Sequence, residues 1–269
     1  MGLRITNLAG LNARDHLDRI GQALGRSLER LSSGRRINSA ADGAADLAIA
    51  ERFRSEIRSL TQAQANTGQG IALAQVADSA LEETGELLIR MRELAVQSAN
   101  GTLGSSERAS LQQEFASLRD EIDRIADTTE FNGKTPLADG SDVAIQVGPD
   151  AGDTLTVSGA TATAAELGVD GLTVGTASGA TGALSGIDTA IRQVSSLRSQ
   201  FGTAQVRLES AARVLGAQLE GTSRAESLIR DVDVAQEVAN LTRLQILQEA
   251  GVAALAQSNQ NLGLLLKLL

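Results

Sequence analysis

The sequence predicts a mainly α protein, a long antiparallel helical bundle or coiled coil with a small β-hairpin region in the middle of the chain. Three observations predict it. From Ile187 apolar residues return every seventh position, at Ile187, Val194, Phe201, Leu208 and Leu215, with a second row at Ala190, Leu197, Ala204 and Ala211. Apolar a and d positions sustained in this way mark a helix packed along one seam. The first half answers in the same rhythm at Leu111, Phe115, Leu118, Ile122 and Ile125, and again at Leu17, Ile20, Leu24, Leu28 and Leu31. Between these halves, from Thr135 to Ile191, there is no Lys or Arg, and both prolines fall there. Matching stripes in two separated halves suggest that the termini lie side by side.

Each element follows in chain order. Residues 3–31 form a first amphipathic segment, which Ser32, Ser33 and Gly34 break. Arg35 to Ala45 is small and polar. A long helical pattern then runs through Ile49, Phe53, Ile57 and Leu60 to Leu87, Met91 and Leu94, and should stop near Asn100-Gly101. Ser105 or Ser106 is the expected cap of the next helix, with Glu107 in its first turn. That helix should run to about Asp127. Phe131-Asn132-Gly133-Lys134 reads as a turn. Val143, Ile145 and Val147 alternate, residues 148–152 turn, and Leu155 and Val157 alternate again, which is a hairpin pattern. Leu172 to Val174 suggests a further strand, and Gly175 to Gly186 a flexible connection.

The C-terminal arm has an expected soft break at Gly221, where Ser223 and Glu226 fit a capping box. A second break is expected at Asp231-Val232-Asp233. The last segment carries Val238, Leu241, Val252, Leu255, Leu262, Leu266 and Leu269, so its stripe runs to the final residue. A terminus normally frays unless something ties it down. Residues 3–31 and 238–269 are therefore expected to be largely disordered in a free chain and to fold on meeting other copies.

Composition narrows the function. The net charge of −9 opposes nucleic acid as a partner, because phosphate binding needs a basic face. With no Trp or Tyr and only four Phe, the chain lacks the aromatic lining of a typical enzyme pocket. The absence of Cys removes thiol chemistry and disulfides. No stretch approaches the roughly 18 uninterrupted apolar residues of a membrane span, and the acidic context of the amphipathic ends argues against a membrane surface. The first fifteen residues hold no continuous apolar run, so no Sec-type leader is expected. The single His16, beside Asp15 and Asp18, is best read as solvated rather than as a metal ligand or catalytic base. Asp139-Gly140-Ser141-Asp142 and Asp150-Ala151-Gly152-Asp153 are loosely calcium-like, but turn chemistry explains them better. Neither catalytic residues, metal ligands nor cofactors are expected. Periodicity alone thus reaches a helical self-associating or scaffold protein with a β tip.

Longer motifs carry the reading further. Glu29-Arg-Leu-Ser-Ser-Gly-Arg-Arg-Ile-Asn38 resembles the N-terminal signature of bacterial flagellin, and Arg92-Glu-Leu-Ala-Val-Gln-Ser-Ala-Asn100 its central helix motif. Phe131-Asn-Gly133, Gln146-Val-Gly148 and Ala151-Gly-Asp-Thr154 resemble its turn and hairpin. Gln245-Ile-Leu-Gln-Glu-Ala-Gly251 and Leu255-Ala-Gln-Ser-Asn259 resemble its C-terminal arm. Ala41, Gly43 and Asp46 depart from the family pattern, as does the Pro-free tail 261–269.

The resemblance implies a short flagellin without large inserted outer domains. Residues 1–43 and 232–269 would form an inner-core coiled coil from both termini, and 44–231 a rod-like helical domain with its β region at about 131–175. The implied function is a structural subunit of the flagellar filament, a self-assembling helical tube that transmits motor torque for swimming. It would be secreted through the flagellar type III channel to the extracellular filament. Its implied partners are other copies, an export chaperone on the C-terminal arm, and hook-filament junction and cap proteins. Many flagellins are recognised by a host innate immune receptor, and those motif residues correspond to Arg90, Leu94, Gln97 and Glu114, for which rod packing is the plainer role. Ser32, Ser33, Gly34, Asp231 and Asp233 are the candidate hinge between two subunit packings. A hook-filament junction protein and a non-flagellar coiled-coil adaptor are the alternatives. The first is not expected to carry both the 92–100 and 245–251 motifs, and the second does not explain the motif order.

Overall fold

The computed structural model describes residues 8–268, with side-chain surroundings for residues 10–260. Of the C-terminal stripe, Leu262, Leu266 and Leu269 lie outside the described side chains. The elements run α1 (Leu8–Ser33), α2 (Ala40–Ala99), α3 (Ser105–Thr128), β1 (Val143–Gln146), β2 (Thr154–Val157), α4 (Ala177–Arg230) and α5 (Val234–Leu268). The chain divides into two compact units, residues 58–220 and the joined ends 1–57 with 221–269.

The 58–220 unit holds the principal core. Ile187, Val194, Phe201, Leu208 and Leu215 are all buried, so the heptad of α4 is its inward seam. Phe115 and Ile122 of α3 meet Leu88, Met91 and Leu94 of α2 in the same apolar cluster. Leu111, Leu118 and Ile125 are half-buried. The fully buried position after Ile122 is Ala126, a four-residue step that keeps the seam pointed inward. Ion pairs mark antiparallel neighbours. Arg92 reaches Asp188 at 2.7 Å and Arg198 reaches Asp78 at 2.9 Å, so α2 and α4 run in opposite directions.

The hairpin is antiparallel, with Val143 opposite Val157 and Ile145 opposite Leu155. Leu155 and Val157 are buried, while Val143 and Ile145 are half-buried against the same cluster. Before it, Asn132 (φ 51°) and Gly133 (φ 76°) make the tight turn between Phe131 and Lys134. Two successive positive φ values are what a type I′ turn demands, and Asn-Gly is the pair that tolerates them.

Four sequence expectations are corrected. Leu172–Val174 is not a strand. The Val174 and Gly175 N–H groups donate to Gln112 Oε1 at 2.6 and 3.0 Å, and the Val174 carbonyl accepts from the Ser98 hydroxyl. Side chains therefore satisfy the backbone that a strand neighbour would have paired. Gly175–Gly186 is largely helical, because Thr176 Oγ1 accepts from Gly179 N at 3.0 Å and starts α4. Gly221 does not interrupt α4, since a helix-interior Gly costs only about 1 kcal/mol relative to Ala. Neither Ser105 nor Ser106 caps α3. Gly104 holds the cap position without a side-chain bond, and Ser106 donates to Glu107 instead.

Candidate functional site

The terminal unit presents a different surface from the core unit. Helices α1 and α5 pack against each other. On α1 the covered positions include Ala13, Leu17, Ile20, Leu24, Ser27 and Leu31, spaced 4-3-4-3-4, with Gly10, Ala23 and Arg30 beside them. On α5 they include Glu237, Leu241, Leu244, Gly251, Leu255 and Ser258, on the same heptad. The pairing is antiparallel. Ser27 donates to the Glu237 carboxylate, and Leu17 fills the space over Gly251, where an added Cβ would lie 2.8 Å from Leu17 Cδ2.

Three residues expected in the stripe lie one position outside this seam. Leu28 is 48 % exposed, Val238 42 % and Val252 55 %. Hydrophobicity alone favoured them, whereas Ser27, Glu237 and Gly251 occupy the facing positions. The regular step from Leu24 to Ser27 to Leu31 was the signal that could have found Ser27. Apolar residues in fact surround α5, with Ile246 and Leu247 also exposed at 61 % and 46 %. A helix apolar on every side is ordinarily enclosed on every side, and α1 covers only one.

The connectors on either side of the pair are bonded to each other. Gly34 (φ 69°) turns the chain out of α1. Val232 N donates to the Gly34 carbonyl at 3.0 Å, and Arg36 N to the Arg230 carbonyl at 2.6 Å. The Arg36 guanidinium also donates to the Ile229 carbonyl at 2.6 Å, placing positive charge at the C-terminal end of α4. Two caps complete the passage. Asp233 Oδ1 accepts from Gln236 N at the start of α5, and Asp42 Oδ2 accepts from Ser39 N, Ser39 Oγ and Asn38 N at the start of α2. The backbone N–H of Ser39 first, its hydroxyl next and Asn38 after it hold the Asp42 carboxyl below its usual range, with Arg30 adding to the effect. Arg230 is buried and reaches Glu51 at 2.8 Å. Of the candidate hinge residues, Ser33, Gly34, Asp231 and Asp233 thus belong to one hydrogen-bonded passage, and Ser32 lies in the last turn of α1. Beside it opens a groove of about 560 Å³ lined by Arg30, Arg36, Leu228, Glu237, Asn240 and Arg243.

The receptor-motif residues lie in the other unit. Arg90 pairs with Glu93 and Glu114, each at 2.8 Å, on the exposed surface of α2 and α3. Gln97 is exposed, but Leu94 is fully buried among the core side chains. Leu94 therefore packs the bundle, and a partner docking on the folded unit would meet Arg90, Gln97 and Glu114 without it.

The bacterial flagellin N-terminal helical region matches residues 5–142, and the bacterial flagellin C-terminal helical region matches 184–269. The chain belongs to the bacterial flagellin family. A flagellin of Halalkalibacterium halodurans is 42% identical over 98% of this chain and 98% of its own length. A flagellin of Bacillus subtilis is 38% identical over 94% of this chain and 95% of its own. The crystal structure of Bacillus cereus flagellin superposes with a TM-score of 0.51 at 34% identity, covering 56% of this chain and 88% of that one. A putative flagellar hook-associated protein from Vibrio parahaemolyticus shares the fold, with a TM-score of 0.59 at 16% identity over 70% of this chain and 99% of its own. As a flagellin of the short form, the chain is a structural subunit of the bacterial flagellar filament.

Proposed function

We propose that residues 1–43 and 232–269 form the inner layer of a secreted, extracellular filament, and that 44–231 form the rod outside it. The observation that carries this reading is the row Leu28, Val238 and Val252, apolar and about half exposed beside an already packed seam. Surface of that kind is covered by further copies in a helical polymer, because a heterologous contact whose rotation does not close builds a filament. Export proceeds through the flagellar type III channel, with a chaperone shielding the C-terminal arm before assembly and junction and cap proteins bounding the polymer. The ends order as they are incorporated, so folding and polymerisation are coupled. The passage at 32–34 and 231–233 is the hinge between two packings. A host innate immune receptor, where it engages this chain, meets the exposed Arg90, Gln97 and Glu114.

Electron microscopy of purified protein seeded with filament fragments tests the central reading. Long helical filaments are expected. Persistent failure to polymerise would overturn it in favour of a scarce junction component or a partner-dependent adaptor. Limited proteolysis of proven monomer tests the coupled ordering. Resistant ends before assembly would contradict it.

A further inference from the structure

The seam between α1 and α5 is largely apolar, and besides Ser258 two small or polar features interrupt it. Near one end the Ser27 hydroxyl donates to the Glu237 carboxylate, and both residues are buried. Ten residues toward the N-terminus of α1, Leu17 lies over Gly251, where an added Cβ would meet Leu17 Cδ2 at 2.8 Å and force that side chain to move. We propose that the Ser27–Glu237 bond and the Leu17–Gly251 notch set the register of the terminal helix pair, and that these four residues thereby decide which surface each subunit offers to the next. The inference rests on the filament reading and adds its register-determining residues.

The physical case is one of degeneracy. Leu17, Ile20 and Leu24 on α1 and Leu241, Leu244 and Leu255 on α5 supply the apolar positions of the seam, and a seam of interchangeable Leu and Ile packs almost equally well after sliding by one heptad. In coiled coils, one buried polar residue breaks that degeneracy at some cost in stability. Here a heptad slip would set the Glu237 carboxylate against Ile20, with only Asn240 of its own helix, at 3.5 Å, left as a donor in place of Ser27, and drive Leu17 onto Leu244. The opposite slip would carry Glu237 to Gly34, beyond the end of α1, and Leu17 to Ser258. A buried carboxylate that loses the Ser27 hydroxyl is costly, which disfavours the first slip, while the second gives up both the Ser27–Glu237 bond and the Leu17–Gly251 fit. The connector bonds at Gly34 and Arg36 hold one end of the pair, but they lie in the passage proposed to move. The two seam features lie within the helices and keep the register when that passage changes.

The sequence offers a clean test, because it contains no Cys. Filaments would be assembled from full-length chain carrying Leu17→Cys with Gly251→Cys, Leu17→Cys with Leu244→Cys, or Leu17→Cys with Ser258→Cys, and then oxidised. In the native seam only the 17–251 pair should crosslink efficiently. Adding Ser27→Leu and Glu237→Leu should raise the 17–244 or 17–258 crosslink at least several-fold and broaden the helical parameters seen by cryo-electron microscopy. Glu237→Gln with Ser27 intact, which keeps a hydrogen-bonded polar pair, should retain the native pattern. If the doubly substituted chain polymerises poorly, its crosslinks would be read after co-assembly as a minority onto wild-type fragments. An unchanged 17–251 pattern with unchanged helical parameters in S27L/E237L would overturn the proposal. Failure of the wild-type chain to form filaments would instead strike the filament reading on which it rests.

Discussion

The two compact units spend their apolar residues in opposite ways. Residues 58–220 bury Phe115, Phe201, Ile187, Leu88 and their neighbours to within a few percent of full coverage. In the terminal unit the fully buried apolar side chains among the described residues are Ile37 and Ala50, while Ser27, Arg230 and Glu237 are buried polar groups. Charge divides as sharply. The 58–220 unit carries 11 basic and 21 acidic residues, a net −10, whereas the joined ends carry 13 and 12, a net +1. A strongly acidic unit repels its copies and stays soluble, and a near-neutral apolar one lets copies approach. The first unit is finished within one chain. The second leaves Leu28, Val238, Ile246 and Val252 exposed.

Substitutions can break this contrast or sharpen it. Phe201→Ala should have the largest effect, about 3–5 kcal/mol, because it removes a fully buried aromatic from the core of α4. Urea unfolding of monomer should show that loss, and an unchanged midpoint would contradict the core assigned here. Val238→Asp should do the reverse. Monomer unfolding should shift by no more than about 0.5 kcal/mol, as for an ordinary surface change. The critical concentration for polymerisation should rise at least tenfold, since each added subunit would bury a carboxylate. Equal polymerisation of V238D and wild type would remove this face from the interface.

A smaller effect is expected from acid. The lowered pKa of Asp42 means that its bonds to Ser39 and Asn38 stabilise the folded connector above the ordinary carboxyl value of 3.8. That contribution is lost as pH falls through the depressed folded value. Asp42→Asn should therefore flatten the part of the acid-disassembly curve below about pH 4 that arises at the connector. Light scattering against pH would show it, and superimposable curves would count against the assignment. The smallest change belongs to Arg90→Ala. Its pairs with Glu93 and Glu114 are solvent-exposed, and such pairs contribute little to stability. Its unfolding midpoint should match wild type within replicate scatter. A receptor-reporter assay on the same monomer separates recognition from packing, because lost signalling with intact stability is the outcome that recognition requires.

Much of the core unit was legible in the sequence because its signals are local and periodic. The heptad from Ile187 to Leu215 needed no partner to be read, and neither did the Asn132-Gly133 turn or the alternation of the hairpin. The segment around Val174 was misread because its backbone is satisfied by Gln112 and Ser98, which are distant in sequence. The seam of the terminal pair was half legible. Leu17, Ile20, Leu24, Leu241 and Leu255 were found by hydrophobicity, and Ser27, Glu237 and Gly251 were missed for want of it.

What the sequence determined by itself is therefore the type of most elements, the family and the concentration of apolar residues at the ends. Spacing and composition, and for the family the motifs at 29–38, 92–100 and 245–251, are enough for these, since each is a property of consecutive residues. Only the tertiary structure decided that the breaks after Ser33 and Arg230 are bonded into one passage. It also decided that Leu94 is core rather than surface, and that a serine and a glutamate face each other inside the seam. Those facts depend on pairings between residues up to 210 positions apart. A polar side chain becomes a register mark only when the fold supplies its partner.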